Sequence, residues 1–111
     1  MRAEFIDPGT FRHELALEVA TRAPDGAGGY TETWSEVATL FGRIDPVSAA
    51  NRFGADKRTV TVTHRVTLRS RGDIAHGMRL CRQERVFEII TVHDPDETGR
   101  YLVCEVREER S

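Results

Sequence analysis

The chain has 111 residues, of which 39% are hydrophobic and 31% are charged, and its formal net charge is −2. This length suits one domain and leaves little room for a separate catalytic or regulatory domain. The small net charge excludes a generic polyanion binder, and no apolar run approaches the roughly 18 residues that cross a bilayer, so no membrane partner is expected.

The first part of the chain combines a tail, a strand and a hairpin loop. Residues 1–11 are predicted to form a flexible tail, because they hold a turn signal at residues 7–9 and few apolar side chains. Leu15 and Leu17 then alternate with more polar neighbours, which predicts a half-buried strand. Pro-Asp-Gly and a glycine pair within residues 24–29 predict a hairpin loop, since glycine tolerates positive φ.

A second strand and a long loop follow. Residues 30–44 regain the alternation, and a change of phase near Val37 predicts a bulge. The single tryptophan, Trp34, is predicted to anchor the core from this strand. Asp-Pro at residues 45–46 ends the strand. Residues 47–58 show neither the helical period of 3.6 residues nor the strand period of two, so we predict a long loop with at most one short helix.

The rest of the chain reads as short strands separated by turns. Alternating or dense apolar residues predict strands at 59–69, 78–82, 86–92 and 102–106. The predicted fold class is therefore all-β, a small antiparallel barrel or sandwich of about six strands. The barrel domain is expected to span residues 12–106 with its loop at 47–58, followed by a charged C-terminal tail at 107–111.

Charge is unevenly distributed along the chain. Residues 1–42 carry a net charge of −4, residues 43–85 carry +6, and residues 86–111 carry −4. Two interpretations follow. Either the subunit presents faces of opposite sign to different partners, or strands from all three segments mix in one sheet and the charges pair.

The residues give no sign of catalysis. The sequence lacks a nucleophile elbow, a zinc-protease motif and a phosphate-binding loop, so we expect neither an enzyme nor a cofactor. His64 lies on the apolar face of its strand and is predicted to be a hydrogen-bonded core histidine rather than a metal ligand. The acidic residues at 94–97 are predicted to form a solvated turn rather than a calcium loop. Cys81 and Cys104 are expected to be reduced thiols in strands, with a disulfide or a metal pair as the alternatives.

A different class of function, a small β-barrel module that binds nucleic acid, stays open. Several arginines of the basic middle segment could follow a phosphate backbone. These are Arg65, Arg69, Arg71, Arg79, Arg82 and Arg85. However, residues 59–85 contain no aromatic side chain other than histidine on which bases could stack, which argues against this alternative.

Five segments occur in the order that is typical of one protein family. They are Arg-His at 12–13, Gly-Gly-Tyr-Thr-Glu-Thr-Trp at 28–34, residues 37–48, Thr-His-Arg-Val-Thr-Leu-Arg at 63–69, and Arg-Val-Phe-Glu-Ile at 85–89. Over residues 12–106 the chain resembles the phage head–tail joining family, also called head-closure or stopper proteins, of tailed phages and gene transfer agents. It departs from that family at Phe41, where tryptophan or a small residue is common.

The resemblance implies a structural head-closure subunit in the neck of a phage-like particle, assembled in the bacterial cytoplasm. Such a subunit forms a ring with its own copies. A portal or adaptor ring lies on the head side, the tail terminator or tail proteins lie on the other, and packaged double-stranded DNA, which the ring helps to retain, is the partner expected in the channel. Six-fold and twelve-fold rings both agree with the resemblance. A tail terminator, or another neck or tail-completion protein, is the nearest alternative.

Loop 47–58 is the predicted interface or DNA-facing segment. Arg52, Lys57 and Arg58 outweigh its one aspartate, so the loop carries a positive charge that suits DNA phosphate or an acidic partner. The alternative is that the loop only covers one end of the barrel, with Phe53 as its plug.

Overall fold

The computed structural model describes residues 6–47, 52–53 and 60–109, and over that part β-strand is the predominant secondary structure. A 3-10 turn, Pro8–Thr10, precedes the strands. The strands are β1 His13–Pro24, β2 Tyr30–Pro46, β3 Arg52–Phe53, β4 Val60–Thr61, β5 His64–Arg69, β6 Arg79–Arg82, β7 Arg85–His93 and β8 Tyr101–Glu109. Within the described residues, no helix is long and apolar enough to cross a membrane.

Six of these strands close into a barrel. Their order around the barrel is β1-β2-β5-β8-β7-β6, every neighbouring pair is antiparallel, and β6 returns to β1. β3 and β4 form a separate two-stranded sheet. The predicted all-β fold is confirmed, and of the two architectures left open the chain adopts the barrel.

The barrel interior is filled by apolar side chains at every second position along the strands, as the alternation in the sequence predicts. Phe87 and Leu15 are fully buried. Burying an aliphatic or aromatic side chain of this size contributes about 1.5–3 kcal/mol. The remaining core residues are Leu17, Leu40, Val66, Leu68, Ile74, Leu80, Ile89, Cys104 and Val106.

The bulge predicted near Val37 is confirmed, and a tight turn joins the strands predicted at 78–82 and 86–92. Leu17 pairs with Ala38 but the next residue, Glu18, pairs with Glu36, so Val37 is the extra residue of a β-bulge. A two-residue reversal joins β6 to β7, and Gln83 within it has a φ of 56°. Such left-handed backbone is what a tight hairpin turn requires.

One glycine is required where strands approach closely. Gly42 of β2 is buried, and a Cβ atom built on it would lie 3.0 Å from the backbone oxygen of Thr67 and 3.3 Å from a methyl group of Leu15. A side chain here would push β2 away from β5.

The ends of the barrel differ from the sequence expectation in detail. Ile6 is only 6% exposed, and the Phe11 ring packs edge-on against Tyr101 with 5.7 Å between ring centroids, so part of the segment predicted as a tail packs on the barrel. β8 continues to Glu109, past the predicted boundary at 106. The strand predicted at 59–69 is divided into β4 and β5. The short helix predicted within 47–58 would begin at residues 48–51, which lie outside the described residues.

Candidate functional site

The predicted loop 47–58 leaves the barrel after β2 and returns through β4. Arg52 and Phe53 form β3, pairing with Thr61 and Val60 respectively. The structure thus gives the loop a short hairpin whose backbone stands apart from the barrel sheet. The other two predicted site residues, Lys57 and Arg58, lie outside the described residues.

Both ends of this loop are fixed to the barrel. The Val47 amide donates to the Thr63 carbonyl at 3.0 Å, and the Thr63 amide donates to the Val106 carbonyl at 2.9 Å. The Thr63 hydroxyl accepts a further hydrogen bond from the Glu108 amide at 2.7 Å. Val62, between β4 and β5, is 3% exposed and acts as an apolar anchor. The loop therefore starts and ends on rigid elements.

A polar cluster lies beside the loop's return point. The Nδ1 atom of His64 is 3.0 Å from the Thr63 hydroxyl and 4.0 Å from a carboxylate oxygen of Glu108. Arg85 makes two hydrogen bonds to that same carboxylate, at 2.8 and 3.2 Å, and its Nη2 atom is 3.4 Å from His64 Nε2. The imidazole also packs edge-on against the core ring of Phe87 at 5.4 Å. This matches the prediction of a hydrogen-bonded histidine on the apolar face.

The protonation of this histidine is controlled by its surroundings. Burial lowers the pKa of His64 below its usual value, and the positive charge of Arg85 lowers it further. The carboxylate of Glu108 raises the pKa by more than Arg85 lowers it, but burial is the largest effect and the net pKa is lowered. The cluster therefore holds a neutral imidazole at neutral pH.

Charges of opposite sign face each other across the outer surface of the barrel. Glu18, Arg79, Glu88 and Arg107 are directly opposite one another on β1, β6, β7 and β8. Arg79 Nε lies 2.7 Å from Glu18, and Arg107 Nη2 lies 2.5 Å from Glu88. This row therefore alternates in sign across four strands.

A second row crosses β2, β5 and β8 in the same way. Asp45 faces Arg65, and Arg65 faces Glu105. Arg43 Nε is 2.8 Å from Asp45, and Arg65 Nη2 is 3.5 Å from Glu105. Exposed pairs of this kind contribute only about 0–1 kcal/mol each, so their main effect is on surface charge.

These rows decide between the two interpretations of the charge distribution. Arginines of the basic middle segment pair with carboxylates, several of them from the acidic ends of the chain, so the segments mix in one sheet. Among the arginine side chains that the structure describes, Arg12, Arg69 and Arg82 are those without an ion-paired carboxylate. The pairing removes most of the basic track that a nucleic-acid-binding module would need.

The prediction that Trp34 anchors the core is wrong. Its side chain is partly exposed and lies outside the barrel, where the Arg79 guanidinium stacks 4.0 Å from the ring centroid. Glu88 and Arg107 line the same shallow cleft. Beyond the bulge, β2 pairs with β1 alone among the described strands. Trp34 lies in this part of β2, so its side chain has no barrel interior to enter.

Sequence reasoning also missed that the β1–β2 hairpin extends beyond the barrel. β1 pairs with β6 at residues 16–18, and β2 pairs with β5 at residues 42–46. Within the described sheet, residues 19–24 and 30–36 pair with each other and with no third strand. We call residues 19–36 the arm. Polar residues on both faces of its strands were the signal that could have revealed it.

The tip of the arm is ordered by one carboxylate. Asp25 accepts hydrogen bonds from the amides of Ala27 and Gly29, at 2.8 and 3.0 Å, and these bonds lower the pKa of Asp25. Gly26 and Gly28 have φ values of 83° and 86°, as the predicted hairpin loop requires. The tip therefore holds a defined shape although it is exposed.

The acidic turn at 94–97 is held by hydrogen bonds of its own, and Asp96 within it is 2% exposed, so the turn is not solvated throughout as predicted. The carboxylate of Asp94 accepts the amides of Asp96 and Gly99, which is typical of a structural turn. In the described ranges, no three potential metal-ligating side chains lie together. Cys81 and Cys104 are free thiols, and burial raises their pKa values to about 11 and about 12, so little reactive thiolate forms at neutral pH.

Comparison with known proteins finds a matching family model and similar solved structures. A family model described as phage head completion protein matches residues 6–109. A chain from the virion of a native gene transfer agent particle is 26% identical with a TM-score of 0.67, and the match covers 89% of this chain and 94% of that chain.

A second solved structure shares the fold. Protein SF1141 from Shigella flexneri 2a, determined in solution, is 24% identical with a TM-score of 0.72, and the match covers 96% of this chain and 99% of that chain. At this identity the likeness shows the fold alone. No match is found among curated proteins.

Proposed function

The chain belongs to the phage head completion protein family, and on that premise we propose that it is the head-closure, or stopper, subunit of a phage-like particle. The observation that carries the proposal is the family match over residues 6–109, nearly the whole chain. The likeness to a chain of a gene transfer agent virion supports a structural role in the particle. The function needs no catalysis, because the subunit acts by docking.

In this proposal, copies of the chain form a ring in the particle neck after assembly in the bacterial cytoplasm. The ring lies between the portal or adaptor ring and the tail terminator or tail proteins, and it helps to retain packaged double-stranded DNA. A closed barrel suits this role, since it leaves few free sheet edges and supplies a rigid body on which loops are displayed.

Loop 47–58 is the segment we propose to face the channel or a neighbouring ring. Its ends are fixed to the barrel through Val47 and Thr63, so the loop is displayed from a rigid base. The positive charge of Arg52, Lys57 and Arg58 suits contact with DNA phosphate or with an acidic protein surface.

The loop hypothesis is tested by replacing residues 48–58 with a short glycine–serine link. The barrel is expected to stay folded, since shortening a surface loop changes the closure entropy little. Particles that carry the shortened chain are expected to package DNA and then lose it, or to lack tails. Encapsidated DNA is measured after nuclease treatment, and tails are counted by electron microscopy.

A matched variant separates the effect of the loop's charge from the effect of its length. The triple change Arg52→Gln, Lys57→Gln and Arg58→Gln keeps the loop length and removes its positive charge. If charge matters, this variant retains less DNA than the wild type. Particles of the shortened chain that keep their DNA and their tails would contradict a role of the loop in either task.

A further inference from the structure

Two exposed features of the chain complement each other although they are far apart. The first is the tip of the arm, where Tyr30 is 70% exposed. The second is an open groove of about 440 Å³ at the end of the barrel, where the N-terminal segment, β2 and β5 meet. We call it the barrel-end groove. Its lining includes Phe11, Phe41 and Arg69.

The groove has the character of a receptor for an aromatic side chain. Phe41 is 55% exposed at its edge and Pro8 and Phe11 also line the groove, whereas Leu40 and Leu68 are 7% and 1% exposed and contribute little surface. Arg69 adds a cation without an ion-paired carboxylate among the described residues, whereas Arg71 nearby is engaged by Asp73 at 2.9 Å. The groove therefore offers the aromatic surface of Phe11 and Phe41 within a mixed polar and apolar lining, together with the positive charge of Arg69, which no carboxylate pairs among the described residues.

The arm is acidic, opposite in charge to the groove, and it carries an exposed aromatic ring. Its residues, 19–36, hold three acidic side chains and one basic side chain, a net charge of −2. Tyr30 stands at the start of β2, next to a loop tip that Asp25 keeps in shape. An exposed aromatic ring on an acidic, ordered hairpin is what a basic, aromatic-lined groove would accept.

The arm cannot reach the groove of its own chain. Tyr30 and Phe41 belong to the same strand, eleven residues apart, which places them about 36 Å from each other along an extended strand. The occupant of the groove must therefore come from another molecule. A second copy of this chain carries the complementary arm by definition.

We propose that copies of this chain assemble head to tail, the arm of one copy inserting Tyr30 into the barrel-end groove of the next, beside Phe11, Phe41 and Arg69. The two contacting surfaces are different, so each copy has one donor and one acceptor. A contact of this kind closes into a ring when the rotation between copies allows it. The inference rests on the ring of the proposed function and identifies the surfaces that build it.

Cysteine cross-linking in assembled particles tests the contact. A chain that carries both Tyr30→Cys and Phe41→Cys is incorporated into particles and treated with a short bis-maleimide. The native thiols are expected to contribute little, because their pKa values are about 11 and about 12. A ladder of covalent multimers is expected on a denaturing gel, since each copy is linked to two neighbours.

The matched control pairs Tyr30→Cys with Glu84→Cys, which is exposed at the turn between β6 and β7. This chain is expected to show no ladder. An equal ladder from the control, or a double variant that is present in particles and stays unlinked, would overturn the proposal.

A second measurement applies if the double variant does not enter particles. The two single variants, Tyr30→Cys and Phe41→Cys, are purified, mixed and cross-linked in solution, and each is also treated alone. The mixture is expected to form covalent dimers at least tenfold faster than either variant alone. Equal rates would refute the contact between arm and groove.

These outcomes are distinct from a failure of the proposed function. Particles that contain the wild-type chain in the neck but whose variants are not cross-linked would refute this contact and leave the head-closure role intact. Absence of the wild-type chain from purified particles would refute the role itself.

Discussion

At the scale of single residues, two aromatic side chains show why position in the sheet matters more than residue type. Phe87 is fully buried inside the barrel, whereas Trp34 is partly exposed and stacks with Arg79. Both lie on strands with period-two alternation. The alternation indicates which side chains share a face, but it does not indicate whether another strand covers that face.

The two residues should therefore differ in their contribution to stability. We expect Phe87→Ala to lower the free energy of unfolding by about 3–5 kcal/mol, because it opens a cavity in the core. We expect Trp34→Ala to cost on the order of 1 kcal/mol, the scale of an exposed cation–π contact. Chemical denaturation of the two variants measures both values. Equal losses would mean that Trp34 is buried in solution.

His64 makes the stability of the barrel depend on pH. Its pKa is lowered in the folded protein, first by burial and then by Arg85, so the unfolded chain binds a proton more readily. The stabilisation is present above the unfolded pKa and is lost as the pH falls through it toward the lower folded pKa. Glu108 faces the ring and moderates this effect.

A substitution isolates this contribution from that of the other histidines. Between about pH 7.5 and about pH 5, the wild type should lose more stability than His64→Gln, which does not titrate. Urea denaturation at each pH gives the two curves. Parallel curves would show that His64 has the same pKa in the folded and unfolded states.

At the scale of elements, most strands could be predicted from the sequence, because apolar and polar residues alternate along a half-buried strand. The bulge at Val37 was predictable from the change of phase, and the reversal at Gln83 from the short polar break between two apolar runs. These features depend on local chain geometry alone.

Other features were not predictable, because they depend on residues distant in sequence. The packing of Ile6 and Phe11 on the barrel requires a surface built by later strands, including Tyr101 of β8. The extent of the arm depends on how far β5 and β6 run beside their neighbours. The barrel-end groove likewise forms only where the N-terminal segment, β2 and the end of β5 come together.

At the scale of the whole molecule, pairing of charges explains how a chain with an uneven charge distribution forms a nearly neutral barrel. Arg79 pairs with Glu18, and Arg85 pairs with Glu108, so basic and acidic segments neutralise each other across strands. The surfaces that we propose for partners are confined to the arm, the barrel-end groove and loop 47–58. This arrangement suits a subunit that works by docking on several sides.

The central claim is that this barrel is a head-closure subunit of a phage-like particle, and locating it in a reconstructed particle tests that claim most directly. A cryo-electron microscopy map of particles that contain the chain is expected to show copies of the barrel as a closed ring between the portal side and the tail, with loop 47–58 toward the channel or an adjacent ring. A map that places the barrel at the tail-terminator position, or that shows it outside any ring, would contradict the account.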